Sequence, residues 1–83
     1  MSSESYVLLD TKHGLALFFG TNEEMLARKE SIRTRCASYN QEAVADSFLR
    51  ILSQSEVGAV EYDYMASKRL MPRRLLMRLQ KET

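Results

Sequence analysis

The chain has 83 residues, 45% of them hydrophobic and 28% charged, with a formal net charge of +1. That length corresponds to one domain, residues 1–83, and the composition is that of a folded chain rather than a disordered one. One cysteine excludes an internal disulfide, no apolar run approaches the roughly 18 residues of a membrane span, and the N-terminal MSSES lacks a basic and apolar leader pattern, so the expectation is a soluble cytoplasmic protein with no membrane association.

Tyr6 to Leu9 is rich in bulky residues and predicts a strand. Asp10 to Gly14 reads as a turn, in which Asp10 can accept from the backbone ahead of it and Gly14 can take positive φ. Leu15 to Phe19 predicts a second strand, and the two make a hairpin. Both strands raise one problem. Leu15, Leu17 and Phe19 fall on one parity, Ala16 and Phe18 on the other, and neither parity is polar. Val7 and Leu9 stand opposite Tyr6 and Leu8 in the same way. Each face must therefore be covered by a helix of this chain, by a second copy in a homodimer, or by a foreign protein, because an open apolar patch is an association site.

Gly20-Thr21-Asn22 ends the hairpin, and Thr21-x-x-Glu24 has capping-box spacing, so a helix starts near Asn22. Its apolar stripe is thin: Met25, Ile32, Cys36 and Tyr39. Ser38 with Gln41, or Asn40 alone, offers the next N-cap. Val44, Phe48, Ile51 and Leu52 recur at i, i+4, i+7 and i+8, which predicts a helix over about 41–53. Residues 59–65 alternate, Val60, Tyr62 and Tyr64 against Glu61 and Asp63, and predict the third strand. Pro72 suits the first turn of a last helix, with Met71, Leu75, Leu76 and Leu79 on one face. The expected fold is α+β: a small antiparallel three-stranded sheet with helices packed on it, in the order ββααβα.

Charge is unevenly distributed. Residues 68–83 hold six basic residues (Lys68, Arg69, Arg73, Arg74, Arg78, Lys81) and one acid, a net +5, whereas residues 1–67 hold six bases and ten acids, a net −4. Such asymmetry either marks an anionic partner or is settled by tail against body. As a docking helix the basic segment would present Met71, Leu75, Leu76, Met77 and Leu79 as anchors ringed by arginines. As a nucleic-acid contact the same arginines would pair with phosphates. As an ordinary terminal helix it would pack on its own sheet, with its arginines solvated or paired to Glu61 and Asp63. Tyr62 and Tyr64 add a second surface candidate, able to anchor an interface or stack on bases, against the plainer reading of two core aromatics.

Catalytic chemistry has little to stand on. His13 is the only histidine and sits at a hairpin tip, where a solvated turn residue is the simple reading. Cys36 lies near Arg33 and Arg35 but within the apolar stripe, where a thiol behaves as a small hydrophobe. One histidine and one cysteine are too few for a metal site. Glu23 and Glu24 have a capping reason, Glu61 and Asp63 an outward strand position, and Gly14, Gly20 and Gly58 are isolated rather than a phosphate loop. The expectation is no enzyme, no metal and no cofactor.

In layout the chain resembles the small accessory proteins encoded by bacteriophages: a single small domain opening with YVLLDTKHGLALFFGT and running through NEEM straight into a helix. That resemblance implies a protein that binds a host factor and blocks it. The expected function is a small non-enzymatic regulator or inhibitor that docks on a partner protein, through Lys68, Arg69, Arg73, Arg74, Leu75, Arg78 and Leu79 with Tyr62 and Tyr64. The alternative is a nucleic-acid-binding protein using the same basic helix.

Overall fold

The fold is built around one short strand. In the computed structural model, which describes residues 4–81, β1 (Tyr6–Asp10) pairs antiparallel with β2 (Leu15–Gly20) on one side and with β3 (Leu49–Ser53) on the other, so the sheet order is β2-β1-β3. The hairpin turn forms as its residues dictate. Asp10 Oδ1 accepts the N–H groups of Lys12 at 2.9 Å and His13 at 3.0 Å, and Gly14 takes φ 68°. The β1–β2 register slips between Leu8 and Leu9: Leu8 faces Phe18, but Leu9 faces Ala16. Leu17 is the extra residue of this bulge.

The slip explains why LALFFG does not alternate. Leu17 and Phe18, adjacent in sequence, both pack with the cluster around Leu8, while Ala16 and Phe19 pack with Val7 and Leu9. Both faces of the sheet are covered from within the chain. On one, Leu8 packs with Met25 of α1 (Asn22–Ala37), Ala45 of α2 (Glu42–Phe48) and Leu49, flanked by Ile32 and Cys36. On the other, Val7, Leu9 and Leu52 meet Val57 of α3 (Gln54–Val57), Met65 of α4 (Ala59–Lys68), and Leu75 and Leu79 of α5 (Arg73–Lys81). The apolar strand faces, for which a helix of this chain, a second copy or a foreign protein were the candidate covers, are thus filled by helices of the same chain.

The protein is α+β with a three-stranded antiparallel sheet, in the order β1β2α1α2β3α3α4α5. Two elements differ from the sequence expectation. The helix expected over 41–53 stops at Phe48, and Leu49–Ser53 is the third strand. Residues 59–65, expected as that strand, belong to α4, where Met65 is fully buried, Tyr62 is half-buried and Val60 points outward. A second capping box follows the strand. Ser53 Oγ accepts the Glu56 N–H and Glu56 Oε1 accepts the Ser53 N–H, which starts α3 directly after β3. Gly58, at φ 102°, then separates α3 from α4.

The two capping boxes have a titration consequence. The Thr21 N–H and hydroxyl hold the Glu24 carboxyl below its ordinary value of 4.5, and the Ser53 N–H and hydroxyl do the same for Glu56. Groups with lowered folded pKa values contribute stability that is complete above the unfolded value and is lost as pH falls through the folded one. Glutamine keeps the capping geometry without titrating. The double variant Glu24→Gln/Glu56→Gln is therefore expected to lose less melting temperature than the wild type between about pH 5 and about pH 3, measured by circular dichroism. An identical acid response in both would contradict the assignment.

Candidate binding surface

α5 sorts its residues by helical geometry. Leu75 and Leu79, one turn apart, are 3% and 2% exposed and sit in the sheet-facing core, with Leu76 half-buried beside them. Pro72 precedes the helix, and its carbonyl accepts the Leu76 N–H at 3.0 Å. The other side of α5 carries Arg73, Arg74, Arg78 and Lys81, all exposed, with the half-exposed Met77 among them. The two leucines are therefore core residues and cannot serve as anchors for a partner, as they were expected to; the cations around them remain outside.

The remaining expected site residues divide in the same way. Tyr62 packs edge-on against Phe19, with ring centroids 5.5 Å apart, and belongs to the core. Tyr64 is exposed on α4, one turn from Val60, which at 79% exposed is the most open large apolar side chain described. Arg69 is structural. It ends α4 at φ 61°, its carbonyl accepts the Ala16 N–H at 3.1 Å, and its guanidinium lies 5.0 Å from the Phe19 ring centre. The next residues hold the edge of the sheet, Leu70 bridging Leu15 and the Met71 N–H bonding the Gly14 carbonyl at 2.9 Å.

Two surfaces of this group meet. Glu61, Arg74 and Arg78 line one small cleft of about 70 Å³ floored by Val57 and Leu75, so the first turn of α4 adjoins the middle of α5. Glu61 forms no ion pair with either arginine. Its carboxylate folds back over Gly58, where an added Cβ would stand 2.7 Å from Glu61 Oε2. Arg78 donates to the Glu56 carbonyl at 3.1 Å. Lys68, Arg73, Arg74 and Lys81 make no hydrogen bond or ion pair with the described residues. The result is a cationic face on α5 that adjoins the first turn of α4, the helix on which Val60 and Tyr64 are exposed. Lys81 and Val60 join this surface although neither stood in the expected set. Lys81 was legible in the charge count, whereas Val60 was hidden by the alternating pattern that predicted a strand.

The residues weighed for chemistry lie apart from this surface. Asp10 Oδ2 contacts His13 Nδ1 at 2.9 Å within the hairpin turn, with the His13 side chain 61% exposed. Cys36 is half-buried against the Leu8 cluster. A larger cleft of about 280 Å³ near the turn is lined by Thr11, Lys12, Ser47, Phe48, Arg50, Leu79 and Gln80. Both its hydroxyls donate to nearby carbonyls, Thr11 to Phe48 and Ser47 to Val44. Among the described residues no three His, Cys, Asp or Glu side chains are placed to hold a metal ion, and no helix is long and apolar enough to cross a membrane.

Fold and surface together define a class: a small α+β domain whose sheet is covered on both faces and whose last described helix turns a cationic face outward. No protein-family model matches the chain, and no curated protein or solved structure matches it either.

The division between core and surface is measurable. Leu75→Ala is expected to cost about 2–5 kcal/mol of unfolding free energy, the range for emptying a buried leucine site. Arg73→Gln and Arg74→Gln are expected to stay within about 0.5 kcal/mol each, as for surface changes without partners. Denaturant titration checks both. A large loss at either arginine, or none at Leu75, would reverse the assignment.

Proposed function

We propose that this protein is a small non-enzymatic regulator or inhibitor that docks on a partner protein through the outward face of α5 and the adjoining face of α4. The layout it shares with small bacteriophage accessory proteins fits such a role, with a host factor as the partner. Lys68, Arg69, Arg73, Arg74 and Arg78 supply charge, Tyr64 supplies contact area, and Leu75, Leu79 and Tyr62 hold the surface in place from behind. The observation that carries the reading is the combination, on two adjoining helices, of cations that make no hydrogen bond or ion pair with the described residues, Lys68, Arg73 and Arg74, and exposed apolar side chains, Val60 at 79% and Tyr64 at 43%. Aromatic and arginine side chains concentrate binding energy at protein interfaces, and cations at the rim set the rate and partner preference.

A second reading, nucleic-acid binding, is favoured by one observation: with Leu75 and Leu79 buried, the face left on α5 is mostly arginine and lysine. The apolar Val60 and Tyr64 pair beside it weighs towards protein, because a phosphate backbone leaves an aliphatic side chain unused.

Salt dependence separates the two. Under the docking reading, wild-type affinity for duplex DNA or single-stranded RNA at physiological salt is no tighter than the non-specific range, a Kd of about 10⁻⁴–10⁻⁶ M. A cellular protein cross-linked by the wild type is no longer captured by Tyr64→Ala or by the triple variant Arg73→Gln/Arg74→Gln/Arg78→Gln. Tight nucleic-acid binding would overturn the docking reading if its log K fell steeply with log salt and the triple variant flattened that slope by about 0.9 for each duplex phosphate it no longer neutralises.

A further inference from the structure

We infer that the α4–α5 surface receives a short acidic peptide segment of a partner protein, one that carries bulky apolar residues among its carboxylates. The inference rests on the docking reading above and specifies the chemistry of what docks.

The charge balance inside the chain leads to the acidic requirement. Most of the acids are already engaged close to their own position. Glu24 closes the α1 capping box, Glu56 closes that of α3, and Asp46 pairs with Arg33 at 3.1 Å. Glu4 accepts the Ser55 N–H at 2.9 Å, and Glu61 folds over Gly58. Arg73 and Arg74 have no such partner among the described residues, and Arg78 uses one donor on a backbone carbonyl while the rest of its fork stays exposed. Guanidinium forks match carboxylates in a bidentate geometry, so carboxylates are the groups that complete this face.

The apolar requirement comes from α4. Val60 and Tyr64 lie four residues apart, about 6 Å along the helix axis, on its outward side. Arg74 and Arg78 have the same four-residue spacing on α5. Because Glu61 shares a cleft with both arginines, the first turn of α4, in which Val60 stands, adjoins the cationic row. A segment with acids on one side and a leucine or phenylalanine on the other meets both rows at once. A purely acidic chain meets only the first, and an apolar one would cover the arginines without pairing them.

The test uses the full chain and three fluorescent probes in anisotropy titrations: a short Asp/Glu-rich peptide containing leucine and phenylalanine, the same peptide with those residues replaced by serine, and a single-stranded oligothymidylate. The leucine and phenylalanine peptide is expected to bind at least about tenfold tighter than its serine counterpart, a difference of about 1.4 kcal/mol. Tyr64→Ala should abolish that difference while leaving the serine peptide's affinity unchanged. Arg74→Gln/Arg78→Gln should weaken both peptides, and Lys29→Gln on α1 should weaken neither. Melting curves establish that each variant is folded. Equal affinity for the two peptides would overturn this inference and leave the basic docking face standing. Binding of neither peptide would overturn both, and an oligothymidylate bound more tightly than either peptide would replace them with the nucleic-acid reading.

Discussion

Everything in this fold follows from β1 being buried on both sides at once. Val7, Leu8 and Leu9 are each 0% exposed, and the strand is hydrogen-bonded along both edges. Consecutive side chains of a strand point to opposite faces, so three consecutive buried residues require two cores. A chain of this length can supply them only by giving nearly every apolar helix face to the sheet. Met25 and Ala45 go to one side; Val57, Met65, Leu75 and Leu79 go to the other. What is left outside is what the helices could not bury.

The cationic surface is a by-product of that allocation. α5 is amphipathic, and once its leucines turn to β1 its arginines must face water. α4 has a narrower buried side, Tyr62 and Met65, and so leaves Val60 and Tyr64 outside although they are apolar. Glu23, Glu24, Glu56 and Glu61 sit in first helix turns, where they suit the positive end of the helix dipole, and Glu24 and Glu56 also cap backbone N–H groups. Glu61 shares a cleft with Arg74 and Arg78 without forming an ion pair with either, and the arginines of α5 stay exposed.

Much of this was legible in the sequence, and the failures have identifiable causes. The hairpin, its turn, the Thr21 capping box and the amphipathic last helix all carry strong local signals, and each is found. The helix expected through Ser53 rested on Val44, Phe48, Ile51 and Leu52. Val44 is 44% exposed, and the buried residues are Ala45, Leu49 and Leu52. Tertiary pairing with β1 overrode the helical spacing of LRILS, whose apolar residues serve both faces of a strand equally well. The spacing Ser53-x-x-Glu56 was an overlooked signal, since it starts a new helix at the residue where the expected one was to end. The alternation over 59–65 misled because two of its three apolar positions lie on the outward side of α4, so the periodicity reported surface rather than core. Of the expected site, the charged residues were readable from composition alone. The burial of Leu75 and Leu79 depended on β1 having a second apolar face to fill, which only the assembled sheet reveals.

Native-state amide hydrogen exchange tests the central role of β1 most directly. If both cores depend on it, the amides of Val7, Leu8 and Leu9 exchange only through global unfolding, with a free energy equal to that from denaturant titration. If instead those amides exchange through a cheaper local opening while α1 or α5 stays protected, the strand does not hold the two layers together, and its central role is contradicted.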